Sequence, residues 1–427
     1  MILENEYPKD WESVYLGDLS EVITKGTTPT TNGFKYLEKG VNFVKVESID
    51  SNGNFIPQMF AYVGEDCNKS FKRSQLKEGD ILYTIAGALG RNAIVTNDIL
   101  PANTNQAVAI IRLKNKKYNN YIYHFLRGNK IQQLIKRINV STAQANLNLG
   151  QINKFKIPLP PLPEQQKIAE ILSTVDAKID LITQRITQTQ DLKKGLMQRL
   201  LTKGIGHTEF KDSPLGEIPK SWEVVDLEKL AEIKGRIGYR GYTKADLVEK
   251  GKGALALGGA QISKENKLNF SKPVYLTWEK YEESPEIKAS IGNIIFAQRG
   301  TLGRVALIEH LPEKATINPS MVLIKNIKCN NQFMFYYLCS SNVQNIVSKI
   351  STSTAVPMLS QKQIKNFKIA LPPKEEQTQI ANILSVVDSK LDILQNKKIH
   401  YQELKKGLMQ QLLTGKVRVT GLIKEVV

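Results

Sequence analysis

FKIPLPPLPEQQKIAEILSTVDAKIDLITQRITQTQDLKKGLMQRLLT, residues 155–202, recurs 212 residues later as FKIALPPKEEQTQIANILSVVDSKLDILQNKKIHYQELKKGLMQQLLT, residues 367–414, without a gap and with 28 of 48 positions identical. A long repeat at one offset marks a duplicated structural unit. In both copies a proline pair (Pro160-Pro161, Pro372-Pro373) precedes glutamate (Glu164, Glu375-Glu376), the chemistry of a helix start, where a carboxylate meets the positive end of the dipole. Apolar residues then step by four and three: Ile168, Leu172, Val175, Ile179, Ile182 and Ile186, and Ile380, Leu384, Val387, Leu391 and Leu394. That alternation is a heptad seam. It weakens at Thr189 and Lys398 and resumes at Leu192, Leu196 and Leu200, and at Leu404, Leu408 and Leu412. The spacing predicts one helix over Glu164–Thr202, about 58 Å long at 1.5 Å per residue. Two helices with one seam predict an antiparallel pair, with Ile168–Ile186 lying against Ile380–Leu394.

The repeat extends more weakly over the whole chain. Pro8-Lys9-Asp10-Trp11-Glu12 matches Pro219-Lys220-Ser221-Trp222-Glu223, Gly79–Tyr83 matches Gly292–Phe296, Gly90-Arg91 matches Gly303-Arg304, and Ser141–Ala143 matches Ser353–Ala355. Each half is therefore a diverged module followed by a strongly similar helix. Turn signals around Gly26–Pro29, Asn52-Gly53 and Gly79-Asp80 predict strands in the early part of a module. Short helices are predicted over 118–128 and 129–138, with counterparts over 332–339 and 342–350. The uncharged stretches Ser141–Gly150 and Ser351–Gln361 read as loops. The resulting fold class is α+β: two similar globular modules separated by a long antiparallel two-helix coiled coil, with an internal pseudo-two-fold. The boundaries are 1–155 (module one), 156–212 (central helix and linker), 213–367 (module two) and 368–427 (C-terminal helix). Trp11 and Trp222 are expected to be core anchors.

The formal net charge is +18, from 59 Lys and Arg against 41 Asp and Glu, which suits a polyanionic partner. Its distribution says more. Ile99–Pro163 holds ten Lys or Arg and no acid, and Lys314–Lys374 holds eight Lys and no acid. The two voids fall at the same place in each repeat. Carboxylates repel phosphates, so their removal makes a surface fit for DNA. Three cysteines in no C-x-x-C pair predict reduced thiols. The N-terminal MILENEYPKD has no apolar stretch, and no run approaches a membrane span, so a cytoplasmic protein without a membrane partner is expected.

Catalytic signatures are missing. Gly251-Lys252 and Gly415-Lys416 lie outside any phosphate loop, no G-x-G-x-x-G follows a strand, and the four histidines make no zinc motif. Asn318-Pro319-Ser320 lacks the second proline and the aromatic residue of an amino-methyltransferase N-P-P-Y. No catalytic or metal residue is predicted.

The I/Y-P-K-x-W-E opening of each half, the module-ending F-K-I-P-L-P-P-L-P-E-Q-Q and the K-K-G-L-M-Q-x-L-L-T tail together resemble the specificity subunit of type I restriction-modification systems, over the whole chain. The resemblance implies a subunit without catalysis of its own. It implies two target recognition domains that bind double-stranded DNA at a bipartite, asymmetric target. It also implies docking of two methyltransferase subunits, which can recruit two restriction subunits. S-adenosylmethionine, ATP and Mg would be bound by those partners and not by this chain, and the modified base would be adenine. Two other classes stay open on the residues alone: a complete methyltransferase or nuclease with fused recognition modules, and a coiled-coil scaffold that binds no DNA.

Phosphate contacts are expected from the acid-free segments, at Lys116, Lys117, Lys136 and Arg137. Base readers need forked or amide groups. The candidates are Arg91 and Arg304, each beside a glycine; Gln144, Asn146 and Asn148 in one polar loop; Ser353, Thr354 and Gln361 in the other; and Arg236, Arg240 and Arg299 in module two.

Overall fold

The computed structural model of the chain describes residues 7–139, 146–353 and 357–423, with the side chains of 138–139, 239 and 352–353 excepted. The chain divides into two compact units. One comprises 1–184 and 395–427, the other 185–394. Each unit holds one module, the first part of the long helix that follows that module, and the last part of the other long helix.

In the first unit, the strands Ser20–Lys25, Val108–Leu113, Ile81–Thr84 and Asn92–Ile94 form an antiparallel sheet in that order. A three-stranded sheet, Ala61–Val63, Val41–Val44 and Ala102–Thr104, is mixed, its middle strand antiparallel to the first and parallel to the last. Ile81-Leu82-Tyr83-Thr84 is buried at every position, so it shows no polar alternation, as a strand covered on both faces should not. Its side chains still sort by period two. Ile81 and Tyr83 join Ala109 and Ile111 in a core with the helix Asn119–Arg127. Leu82 joins Val108 and Ile110 in a second core under the small sheet.

The second unit repeats the plan. Glu232–Gly235, Met321–Lys325, Ile294–Ala297 and Val305–Leu307 form the antiparallel sheet, and Ile294 and Phe296 face one core while Ile295 and Ala297 face the other. The small sheet gains two edge strands, Leu247–Val248 and Lys288–Ala289. Each module ends on a two-stranded closure, Glu12–Tyr15 with Lys156–Leu159 and Glu223–Asp226 with Lys368–Leu371.

The long helices are Leu162–Leu200 and Lys374–Leu412, 39 residues each. Within each unit they run antiparallel, but their register differs from the seam-on-seam expectation. Ile168 and Leu172 share a core with Leu412 and Leu413, and Ile380 and Leu384 share one with Leu200. The reason is geometric: in an antiparallel pair the start of one helix meets the end of the other. The same cores include Phe125 and Tyr121 of module one, and Phe333 and Tyr337 of module two, so the seam serves the module as well as the partner helix. Leu192 and Leu404, expected in the seam, are exposed, while the polar seam position Thr189 is buried. Trp11 and Trp222 are buried as expected.

Polar contacts fix this arrangement. The buried Glu164 carboxylate accepts from Arg418 Nε (2.8 Å) and Nη2 (2.7 Å), and its counterpart Glu376 accepts from Trp222 Nε1 (2.9 Å) and the Ile205 amide (2.9 Å). Farther along, Asp176 Oδ1 holds Lys405 Nζ at 2.5 Å, and Asp388 Oδ1 holds Lys193 Nζ at 2.6 Å. Each carboxylate also faces a helix of its module. Tyr336 Oη donates to Asp388 Oδ2 at 2.9 Å, whereas at the equivalent position His124 Nδ1 stands 3.9 Å from Asp176 Oδ2 and both atoms lack a hydrogen-bond partner. His124 Nε2 lies 3.0 Å from Ser173 Oγ. Burial, with Lys405 and Arg127 nearby, pushes the His124 imidazole down to about 3, so it is neutral.

A depressed histidine pKa makes the unfolded state bind the extra proton. Stability should be full above about pH 6.5 and decline by up to about 1.4 kcal/mol per unit as pH falls toward 3. His124→Tyr would give Asp176 the hydroxyl that Asp388 already has. Chemical denaturation of the full chain at a series of pH values should show this acid-side decline partly removed in the variant. Equal pH slopes for variant and parent would contradict the assignment.

Candidate nucleic-acid interface

The strongest convergence in each module is a hairpin turn. It follows Ile81–Thr84 in one unit and Ile294–Ala297 in the other, and left-handed glycines (Gly87 and Gly90; Gly300 and Gly303) shape it. The end of the polar loop is drawn onto this turn. Asn146 bridges Ala86 and the Leu147 amide donates to the Ile85 carbonyl at 2.9 Å; Met358 bridges Arg299 and the Leu359 amide donates to Gln298 at 3.0 Å. A glutamine of the next helix anchors the turn from behind. Gln132 Nε2 donates to Gly90 O (3.5 Å) and Leu126 O (3.4 Å), and Gln344 Nε2 to Gly303 O (3.0 Å) and Leu338 O (2.8 Å). A side chain on Gly90 would press on that glutamine, and one on Gly303 would meet Val347 first and the glutamine next. Neither glutamine was singled out from sequence. Their recurrence at the repeat offset was the available signal.

Arg91 and Arg304 occupy the same place in this frame. Arg91 Nη1 donates to the Ile49 carbonyl at 2.9 Å, and Arg304 Nη1 to the Ile262 carbonyl at 2.8 Å. Both are half-buried, and each uses part of its guanidinium to hold a neighbouring loop. Arg299 and Asn146, at the turn itself, are exposed.

The remaining candidates scatter. Arg236 is buried, with Nε on Ile317 O (3.3 Å), Nη1 on Arg240 O (3.3 Å) and Nη2 on Thr316 Oγ1 (3.1 Å), and burial lowers its pKa. A DNA contact would require it to leave those partners. Sequence could not separate it from a surface arginine, because it directly follows the strand Glu232–Gly235. Arg240 is half-buried, with Nη1 3.6 Å from Glu286. Asn148 caps the short helix Leu149–Asn153, its Oδ1 accepting from the Gln151 amide at 2.8 Å. Gln361 opens the equivalent helix Gln361–Lys365 and packs its amide against Gly235, where a Cβ would displace it. Gln144 and Thr354 lie outside the described residues, as does the side chain of Ser353.

The expected phosphate contacts are exposed but fall in two places. Lys136 and Arg137 sit in the last turn of Asn129–Asn139, the helix that carries Gln132 and so packs on the turn. Lys116 lies beside Gly79, at the opposite end of the strand Ile81–Thr84, and Lys117 follows it in the same short turn. Lys116 Nζ is 3.9 Å from Glu78. Arg112, also in the acid-free segment, is held by Asp80 through two bonds of 2.7 Å and belongs to the fold. Among the described residues, no cluster of His, Cys, Asp and Glu could hold a metal ion.

A family model for the type I restriction modification DNA specificity domain matches the chain twice, over residues 8–190 and 219–401. The chain is 32% identical over 424 residues to a protein of Methanocaldococcus jannaschii assigned as the type I restriction enzyme MjaX specificity subunit, covering 97% of this chain and 95% of that one. It is 23% identical to the Escherichia coli EcoBI specificity subunit, over 84% of this chain and 75% of that one. Its fold is similar to the crystal structure of a type I restriction-modification S subunit from M. genitalium, with a TM-score of 0.58, 15% identity and coverage of 96% and 98%.

The geometry separates two kinds of variant. Lys136→Ala with Arg137→Ala should weaken binding to all duplexes alike and reduce the slope of log K against log salt by about 1.8. Arg236→Ala should cost about 1–3 kcal/mol of stability through its orphaned partners. It should leave the order of preference among duplexes unchanged. Denaturation curves and a binding panel at two salt concentrations check both.

Proposed function

Because the chain belongs to the type I restriction-modification DNA specificity family, we propose that it reads a bipartite, asymmetric target in double-stranded DNA, one half-site per module. The observation that carries this reading is the hairpin turn, built the same way twice and tipped differently. Arg91 and Arg304, Gln132 and Gln344, and the capping pairs Asn148–Gln151 and Ser360–Gln363 occupy matching places in the two halves and hold equivalent contacts. Shared residues cannot encode two different half-sites. The positions that differ at the same turn can: Ala86 against Arg299, and Asn146 against Met358. Arg299 is therefore a reader for module two and Asn146 for module one, while Arg91 and Arg304 serve chiefly as supports.

The chain is a specificity subunit, so methyl transfer and cleavage belong to other subunits. We assign S-adenosylmethionine, ATP and Mg to those partners and adenine as the modified base, in the cytoplasm where the DNA lies. The duplicated helices suit two methyltransferase subunits, which can in turn recruit two restriction subunits. One helix face supports such docking: Ile383, Val386 and Ile393 lie within about a quarter turn of one another and are exposed, Val386 by 68% and Ile393 by 66%.

Arg299→Ala should relax one base position in the module-two half-site, at about 1–3 kcal/mol of discrimination. Exchanging residues 1–155 for those of a relative should change the other half-site alone. Mapping modified adenines in DNA from cells carrying each variant tests both. A target altered in both halves by either change would overturn the assignment. Val386→Asp with Ile393→Asp should abolish co-purification with methyltransferase subunits and leave the chain folded.

A further inference from the structure

In the first unit a cleft of about 430 Å³ lies between the hairpin turn, the helices Asn119–Arg127 and Asn129–Asn139, and the last part of the second long helix. Four cations line it: Arg91, Arg127, Lys405 and Lys406. None of the described residues lining it is Asp or Glu. Two of these cations are committed to the fold, Arg127 to the carbonyls of Ser51 (3.2 Å) and Asn52, and Lys405 to Asp176. Lys406 is exposed. It stands between Gln402 and Gln410, also exposed and also lining the cleft, at spacings of four that put all three on one helix face.

The first long helix carries the same stripe. Gln190, Lys194 and Gln198 stand at the repeat offset, identical in type and likewise exposed. Between Leu181 and Thr189 the two helices share no residue, so this exposed stripe is retained where a neighbouring segment has drifted.

We propose that each long helix bears a sequence-independent phosphodiester site, Gln402–Lys406–Gln410 in the first unit and Gln190–Lys194–Gln198 in the second, which holds the DNA backbone beside the half-site read by that unit's module. The proposal rests on the DNA-specificity reading above. An ammonium flanked by amides on an exposed face, continuous with the cleft wall formed by Arg91, matches the donors that phosphates take. A protein partner is better served by the apolar face at Val386 and Ile393, since protein interfaces centre on apolar anchors.

The test uses the chain assembled with its methyltransferase subunits, parent against Lys406→Ala, Lys194→Ala, the double variant and Lys406→Arg. Binding is measured on the target duplex and on an unrelated duplex from 50 to 200 mM salt. Each alanine should weaken both duplexes equally and lower the salt slope by about 0.9. The affinity lost across that range should then shrink by about 3.5-fold per lysine. Lys406→Arg should behave as the parent. An unchanged slope in complexes that still discriminate the two duplexes overturns the phosphate site alone. Alanine variants that no longer assemble, as judged by size-exclusion chromatography, would make the stripe a protein-docking face and also overturn it. A parent complex that does not discriminate the duplexes takes down the DNA-specificity reading and the phosphate site together.

Discussion

The carboxylate of Asp176, and of its counterpart Asp388, is the point on which each unit turns. One oxygen holds a lysine of the other long helix, and the second faces an aromatic residue of the module. Apolar seams alone tolerate sliding by a heptad, because leucine meets leucine in either register. A half-buried ion pair does not, since a one-heptad slip would leave a carboxylate and an ammonium desolvated without partners. The module helix completes the constraint. Moving the module along the pair would break the Tyr336 bond and bury its hydroxyl against apolar surface. The same residues therefore fix helix register and module seating together.

That constraint explains why the helices resemble each other so much more than the modules do. A residue in the seam or the clamp touches the partner helix and the module at once, so a change there must satisfy two surfaces. A residue at the tip of the hairpin turn touches only the framework behind it. Gln132 and Gln344 hold the turn by its backbone carbonyls, which are indifferent to side-chain identity. Ala86 and Arg299 can then differ without disturbing the anchor.

The same distinction governs what could be read from sequence. The long helices and their antiparallel sense were legible, because burial imposes a period that residues must obey, and the Trp11 and Trp222 anchors were legible from their matching places in the two halves. Register was not. Leu192 and Leu404 carry the seam's composition yet are exposed, and the seam step is taken instead by the neighbouring Lys193 and Lys405, whose ammoniums reach inward to a carboxylate. Periodicity counts apolar residues and cannot see a lysine that contributes its stem to the interior. At the candidate interface the limit was sharper. Arg236, Arg299 and Arg304 look alike in a string of letters, but one is buried, one exposed and one tied to a loop carbonyl.

The duplication itself supplies part of what a single sequence lacks. Each position in one half has a counterpart under nearly the same physical demands, so a difference shows where those demands relax. His124 in place of Tyr336 is such a case. The imidazole is buried neutral and leaves Asp176 Oδ2 without the donor that Asp388 has. Lys405 still neutralises the carboxylate through the other oxygen, so the clamp keeps its charge balance and loses one hydrogen bond. The ion pair is thus the part that register cannot do without, and the aromatic contact is the part that evolution could vary. At this position the helix of module one reaches the long helix through His124 Nε2 and Ser173 Oγ, and that of module two through Tyr336 and Asp388, although both are built to one plan.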